Sequence, residues 1–479
     1  MLHQLIRIAL LASGIIITNS PVIASKQSNS PNFLFIFVDD QAWSGTSVPM
    51  VKGNQLSRTP GYHMPNLEKM AANGMVFSQA YAGHPKCECS RASLLMGRST
   101  TSLNAVDKNS RNWNAPNSAS LPNTLKRANP TYRAAHFGKW QWQKSPESMG
   151  YDASDGITMN EDGDTSDPRD PKQTFGITQR ATAYMQKQVN EGHPFYLQLS
   201  FYAVHAKPQA LKSTLKKYQN LNSNSAIMAA MTEDLDTCIG TLHKEVEKLG
   251  ISQNTYIIYM ADNGMRSQAL KGGKALLDEG GIRVPLIISG PRVKPGTYSN
   301  AVMVGYDLLA TVIDFVNPKT QLPQGTEGGS WKPVLMNAGA GTVKRPIERL
   351  VFHHDVEIEH PQTAMRKGDL KLLHYWDTKQ NFLYDLSTDL REQNNLASTK
   401  PELTEELLSE LKAHVKAGLG EQKFNQLESG QLPTSTKPNQ RQGGKRGGGG
   451  KGNGGGNGGG NGNGSGSEIG RRLLGSMSQ

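Results

Sequence analysis

The segment Asn32 to Val38 reads Asn-Phe-Leu-Phe-Ile-Phe-Val, apolar at six consecutive positions, and stops abruptly at Asp39-Asp40. An unbroken apolar run of that length predicts a strand buried on both faces. Phe195 to Phe201 is a second such run and leads to His205; Thr255 to Met260 is a third and ends before Asp262-Asn263; Val284 to Ser289 is a fourth. Between them, helical spacing occurs at Met64 to Ala72, Arg91 to Gly97, Leu121 to Ala128 and Ala226 to Leu249. The last of these carries Ile227, Met231, Leu235, Cys238, Leu242, Val246 and Leu249 at steps of three and four, which places Cys238 in core packing. Strands alternating with helices predict an α/β fold: a large, mostly parallel sheet flanked by helices, with its polar strand ends as the natural place for a site. From about Leu350 the pattern changes to short alternating segments, Leu370 to Tyr375 and Asn381 to Leu386, followed by an amphipathic helix from Glu402 to Val415. These predict a smaller C-terminal antiparallel sheet plus helix.

Composition refines this division. At 479 residues the chain is too long for one small module. Residues 1–24 contain His3, Arg7, an apolar stretch from Ile8 to Ile17 and Pro21-Val22-Ile23-Ala24, the pattern of a signal peptide. The apolar core is too short for a membrane anchor, which needs roughly 20 residues. A periplasmic or secreted protein without a transmembrane anchor is therefore expected. The predicted parts are a large α/β domain over 25–345, a small α+β subdomain over 346–420, and a basic tail over 421–479. In that tail, Gly443 to Gly464 holds 15 glycines in 22 residues, too few apolar groups to offset the entropy of ordering. The net charge of +11 resides mostly there, since Lys437 to Gln479 holds seven basic residues against one acid. No nucleic-acid partner is expected for the body of the protein. The three cysteines exclude a disulfide scaffold.

Adjacent carboxylates at a buried strand end are costly unless something positive neutralises them. Asp39 and Asp40, with Asp262 and Asn263 at a second strand end, offer hard oxygen ligands that suit Ca2+ or Mg2+ better than zinc. The plainer reading of each pair is a cap or turn. Cys87 and Cys89 lie between the turn-like His84-Pro85 and a helical run, off any apolar stripe.

The stretch Cys87-Glu88-Cys89-Ser90-Arg91, continuing through Leu94-Leu95-Met96-Gly97-Arg98, resembles the signature of the type I, formylglycine-dependent sulfatases of the alkaline phosphatase superfamily, C-x-P-x-R with an apolar pair and x-G-R beyond. Val38-Asp39-Asp40, Gly138-Lys139-Trp140, His205, Asp262-Asn263-Gly264 and Gly273-Lys274 through Pro285 match that family in order, over roughly Pro31 to Ala397. The resemblance implies that a formylglycine-generating maturation enzyme converts Cys87 to formylglycine. The hydrated aldehyde then has two hydroxyls on one carbon, one to attack sulfur and one to expel sulfate afterwards. It implies calcium (Ca2+) held by Asp39, Asp40, Asp262, Asn263 and residue 87, acting as a Lewis acid. It further implies Arg91 supporting the nucleophile, Lys139 and Lys274 on sulfate oxygens, and His205 as general acid.

Two positions depart from the family pattern. Cys89 stands where the family has Pro or Ala, and could also pair with Cys87 in a strained link. Gln141 stands where Gly-Lys-Trp is usually followed by His, and an amide has no useful basicity. The expected activity is sulfate removal from a sulfated oligo- or polysaccharide, as in bacterial polysaccharide sulfatases. The alternatives are a phosphoester hydrolase of the same superfamily and a non-catalytic protein that binds sulfated glycans. His353, His354, Arg366 and Trp376 could line a sugar cleft or be ordinary packing residues.

Overall fold

A computed structural model describes residues 30–104 and 113–430. The predicted signal peptide and the glycine-rich part of the tail lie outside the described residues. Among the described residues, no helix is long and apolar enough to cross a membrane.

The main sheet has eight strands: β1 (Asn32–Val38), β2 (Gly74–Phe77), β4 (Arg133–Gly138), β5 (Ala153–Ser154), β6 (Phe195–Ser200), β7 (Thr255–Ala261), β8 (Leu286–Ser289) and β9 (Thr297–Ser299). They run in the order β5-β4-β6-β1-β7-β8-β2-β9. Neighbours from β5 through β7 are parallel, β8 is antiparallel to both β7 and β2, and β9 is again parallel to β2. Two short strands, β3 (Ala80–Tyr81) and β10 (Met303–Val304), pair with each other beside it. The expected fold class is therefore the observed one.

β1 shows why the chain folds this way. Phe33, Phe35 and Phe37 enter the core on one face of the sheet, and Leu34, Ile36 and Val38 enter the core on the other. Period-2 alternation within a wholly apolar segment fills two layers at once. The helix Ser223–Lys248 covers the second face through Leu235, Ile239, Leu242 and Val246, with the helix Thr174–Glu191 beside it. Cys238 is buried on it, as its stripe predicted.

The C-terminal sheet is antiparallel, in the order β11 (Leu350–His354), β12 (Gln362–Lys367), β13 (Leu370–Tyr375), β14 (Asn381–Asp385). One face packs Val351, Met365, Leu372 and Leu383 on the helix Pro401–Leu419. The other packs Phe352, Ala364 and Leu373 against Tyr81, Leu277 and Ile282 of the main body. A buried charge cluster joins the same two bodies. Lys371 Nζ lies 3.0 Å from Glu279 and 2.8 Å from Glu392, while Tyr81 donates its hydroxyl to Glu279 at 2.8 Å. The segment predicted as tail from 421 opens with a helix, Glu421–Ser429, whose Leu427 is buried in the small core.

Candidate active site

Four neighbouring parallel strands, β4, β6, β1 and β7, end at one edge of the sheet and each delivers a polar residue there. Lys139 follows β4, His205 lies five residues past β6, Asp39 and Asp40 follow β1, and Asp262 and Asn263 follow β7. The pairing of Val38 with Ala261 sets the last two pairs side by side. Asp40 takes φ 56°, a left-handed conformation, and its N–H donates to Asp262 Oδ1 at 3.1 Å. Left-handed Asp is tolerated because its short side chain is compatible with that region.

The helix Cys87–Met96 brings the nucleophile candidate to this edge. It starts four residues earlier than the apolar pattern indicated, so Cys87 occupies its first turn and Arg91 sits one turn further on the same face. The loop bearing Lys274 is held by close backbone approach: Gly264 N–H donates to Gly281 O at 2.9 Å, and a Cβ on Gly281 would sit 1.9 Å from Leu276 O. No other residue fits there.

Side-chain geometry is compact. Ligand atoms of Asp39, Asp40, Cys87 and Asp262 all lie within 4.8 Å of one another, as do those of Asp39, Cys87 and His205. Lys139 Nζ donates to Asp39 Oδ2 at 2.5 Å, and Lys274 Nζ donates to Asp40 Oδ2 at 2.7 Å and to Cys87 Sγ at 3.2 Å. Arg91 donates to Asp262 Oδ2 through Nε at 3.0 Å and through a terminal nitrogen at 2.7 Å. His205 Nε2 is 3.7 Å from Asp40. Every residue expected at the site from the sequence is therefore found at this edge.

The electrostatics follow from burial and crowding. Burial pushes the Asp39 carboxyl up, but Lys139 beside it holds it below its ordinary value. Burial and the neighbouring Asp39 raise Asp262. Burial lifts the Cys87 thiol well above its ordinary value; Lys139 opposes this and three carboxylates add to it. Burial likewise holds His205 below the ordinary imidazole value.

The donor set fits a hard divalent cation. Three carboxylates converge, and Asn263 adds a buried Oδ1 without a hydrogen-bond partner while its Nδ2 donates to Asp40 Oδ1 at 2.8 Å. An orphaned amide oxygen beside clustered carboxylates is a ligand set for an oxygen-seeking ion.

Comparison with known proteins settles the family. The sulfatase family pattern matches residues 31–317, and the C-terminal pattern of N-sulphoglucosamine sulphohydrolase matches 273–419. The chain belongs to the sulfatase family. As such it is a sulfuric ester hydrolase. This sulfatase is 25% identical over 386 residues to N-acetylgalactosamine-6-sulfatase of Mus musculus, covering 70% of each chain. It is also 25% identical to a sulfatase of Formosa agariphila, covering 80% of this chain and 88% of that one. In fold it resembles Ps i-CgsB, solved in complex with k-i-k-neocarrahexaose, with a TM-score of 0.69 at 21% identity over 85% of this sulfatase and 98% of that chain.

The two departures noted in the sequence are placed here, and one contact had no sequence signal. Cys89 is buried two positions from Cys87, and no disulfide joins the two. Gln141 takes φ 69° and donates to Asn160 Oδ1 at 3.1 Å, so it is turned to a loop partner. Lys86, immediately before Cys87, pairs with Glu357 of the β11–β12 loop at 2.8 Å, a contact between residues 271 apart in sequence. His353, His354, Arg366 and Trp376 are all buried, which favours the packing reading over the sugar-cleft one.

Proposed function

We propose that this sulfatase removes sulfate from a sulfated oligo- or polysaccharide in the periplasm or outside the cell, with Cys87 converted to formylglycine and Ca2+ at the carboxylate cluster. The observation that carries the reading is the convergence of Asp39, Asp40, Asp262 and Cys87 on one point ringed by Arg91, Lys139, Lys274 and His205. The named relatives support a sugar substrate.

An oxygen at position 87 in place of sulfur would make the donor set wholly oxygen, as Ca2+ prefers. The aldehyde hydrate would supply the attacking and the expelling hydroxyl, and the ion would act as Lewis acid. Asp39, Asp40, Asp262 and Asn263 would hold the ion. Lys139 and Lys274 sit where they can share their protons between these carboxylates and an incoming sulfate, stabilising charge that grows on its oxygens. Arg91, fixed by Asp262 and by the Lys139 carbonyl at 2.8 Å, orients the residue-87 side chain. His205 is partly exposed, and a bound anion favours its protonated form, which can donate to the departing alkoxide.

Mass spectrometry of the peptide spanning Lys86 to Arg91, from protein made in its own host, tests the conversion: an aldehyde lowers the mass by about 18 Da relative to the thiol. Sulfate release from sulfated glycans by that protein supports the reading. An unmodified thiol with no release defeats it, and faster cleavage of aryl phosphate than aryl sulfate selects the phosphoesterase instead.

A further inference from the structure

A cavity of about 670 Å3 adjoins the site at Asp40. Ligand pockets span about 300–1,000 Å3, so it has room for sugar beyond the reacting group. Asp40 lines it, and so does Val204, the neighbour of the proposed general acid His205. The cavity therefore meets the site at Asp40 and at the residue next to His205, the group proposed to protonate the departing sugar.

Two kinds of side chain meet in it. Leu56 is 58% exposed and Met265 38%, two of the four large apolar side chains most open to solvent among the described residues, and both line this cavity. Exposed apolar groups rimmed by polar ones mark binding grooves. Arg58 and Arg266 line it as well, and neither has a carboxylate partner among the described residues. Arg58 Nε donates only to the neutral Gln55 amide oxygen, at 2.7 Å, so its charge stays uncompensated. The acid in the lining, Asp40, is already engaged by Lys274 and Asn263.

A charged sugar presents an apolar C–H face and anionic substituents at its edge. Leu56 and Met265 suit the first, and guanidinium forks suit the second. We infer that this cavity is a subsite in which Arg58 and Arg266 hold an additional anionic group, sulfate or carboxylate, on the sugar neighbouring the one that loses sulfate. The inference rests on the hydrolase reading for the position of the departing sugar and deepens it: the substrate is a polyanionic glycan.

The test uses the full chain as wild type, as the double variant Arg58→Ala/Arg266→Ala and as Arg58→Lys/Arg266→Lys. Three probes are compared: a carrageenan tetrasaccharide, whose further anion is sulfate; a chondroitin sulfate tetrasaccharide, which adds a carboxylate; and 4-nitrophenyl sulfate, which has neither. Calorimetric Kd values are read for the tetrasaccharides, and kcat/KM wherever sulfate is released. The alanine variant should weaken binding of at least one tetrasaccharide about tenfold or more beyond any change on 4-nitrophenyl sulfate, and the lysine variant should recover part of it. The tetrasaccharide that loses more identifies the anion. Equal losses on all probes, no loss, or no tetrasaccharide binding by the wild type overturns the subsite. Should the alanine variant fail to fold, the lysine variant still separates fork geometry from charge. Arginine-dependent binding without sulfate release from any probe would instead overturn the hydrolase reading and leave the subsite standing.

Discussion

Two of the buried clusters of opposite charges among the described residues, one at the ends of β1 and β7 and one between β13 and the main body, differ in what each leaves open. At the strand ends, Asp39, Asp40 and Asp262 face Arg91, Lys139 and Lys274, yet 17% of the His205 side chain and 26% of the Lys274 side chain reach solvent. Asn263 Oδ1 there has no partner. Between the bodies, Lys371, Glu279 and Glu392 are almost wholly enclosed. The chemistry of the contacts is the same in both. An enclosed ion cluster has no partner to exchange, and its main effect is that breaking it is costly. A cluster with an opening to solvent can trade partners with a ligand, and that difference separates a rivet from a site.

The sharpest way to break the comparison is to remove one member from each cluster. Cys87→Ala should abolish sulfate release, roughly 10^4-fold or more, while leaving the thermal midpoint near that of wild type. Lys371→Met should do the reverse. It strands two buried carboxylates and should cost about 3–5 kcal/mol in a denaturant titration, with the folded fraction still active. Next in size, His205→Gln should slow release from a sugar sulfate by about 10^2- to 10^4-fold. Release from 4-nitrophenyl sulfate should fall less, because that leaving group departs without a proton.

A smaller effect sharpens the contrast. Ca2+ at about 100 times its Kd should stabilise the protein by about 2.7 kcal/mol, visible as a raised midpoint that a chelator reverses. Asp262→Asn should lose this shift and Lys371→Met should keep it. The smallest effect is in pH. Burial raises the Glu392 carboxyl to about 7 even though Lys371 opposes it, so the folded state holds that proton more tightly than the unfolded state. Stability from this group therefore falls as pH rises from about 4.5 towards 7. Glu279 is held low by Lys371 and Arg283 against burial, so its contribution is lost only as pH falls below its ordinary value. Glu392→Gln should flatten stability across the first window, measured by denaturant midpoints at a series of pH values.

The strand ends were legible in the sequence because an apolar run that stops at a carboxylate states both the strand and its exit. β4 was not legible. Its Arg-Ala-Ala-His-Phe-Gly has no β-branched residue, and it is a strand because β6 and β5 flank it, which is tertiary context overriding propensity. The helix Thr174–Glu191 was hidden for a related reason: its buried face mixes Ile177 and Met185 with Thr178, Ala181 and Gln188, which blurs the apolar stripe. Within the site, the residues were readable as motifs, but their pairings were not. Nothing local says that Lys139 reaches Asp39 or that Arg91 grips Asp262, contacts spanning 100 and 171 positions.

Those long spans impose an order of events on a chain made from its N-terminus. Residue 87 emerges well before β7 has been synthesised, and it is 2% exposed once β7 has docked beside β1. A maturation enzyme that has to grip the peptide around the thiol must therefore reach it while the polypeptide is still incomplete or unfolded, because every residue of the helix Cys87–Met96 is buried in the closed molecule.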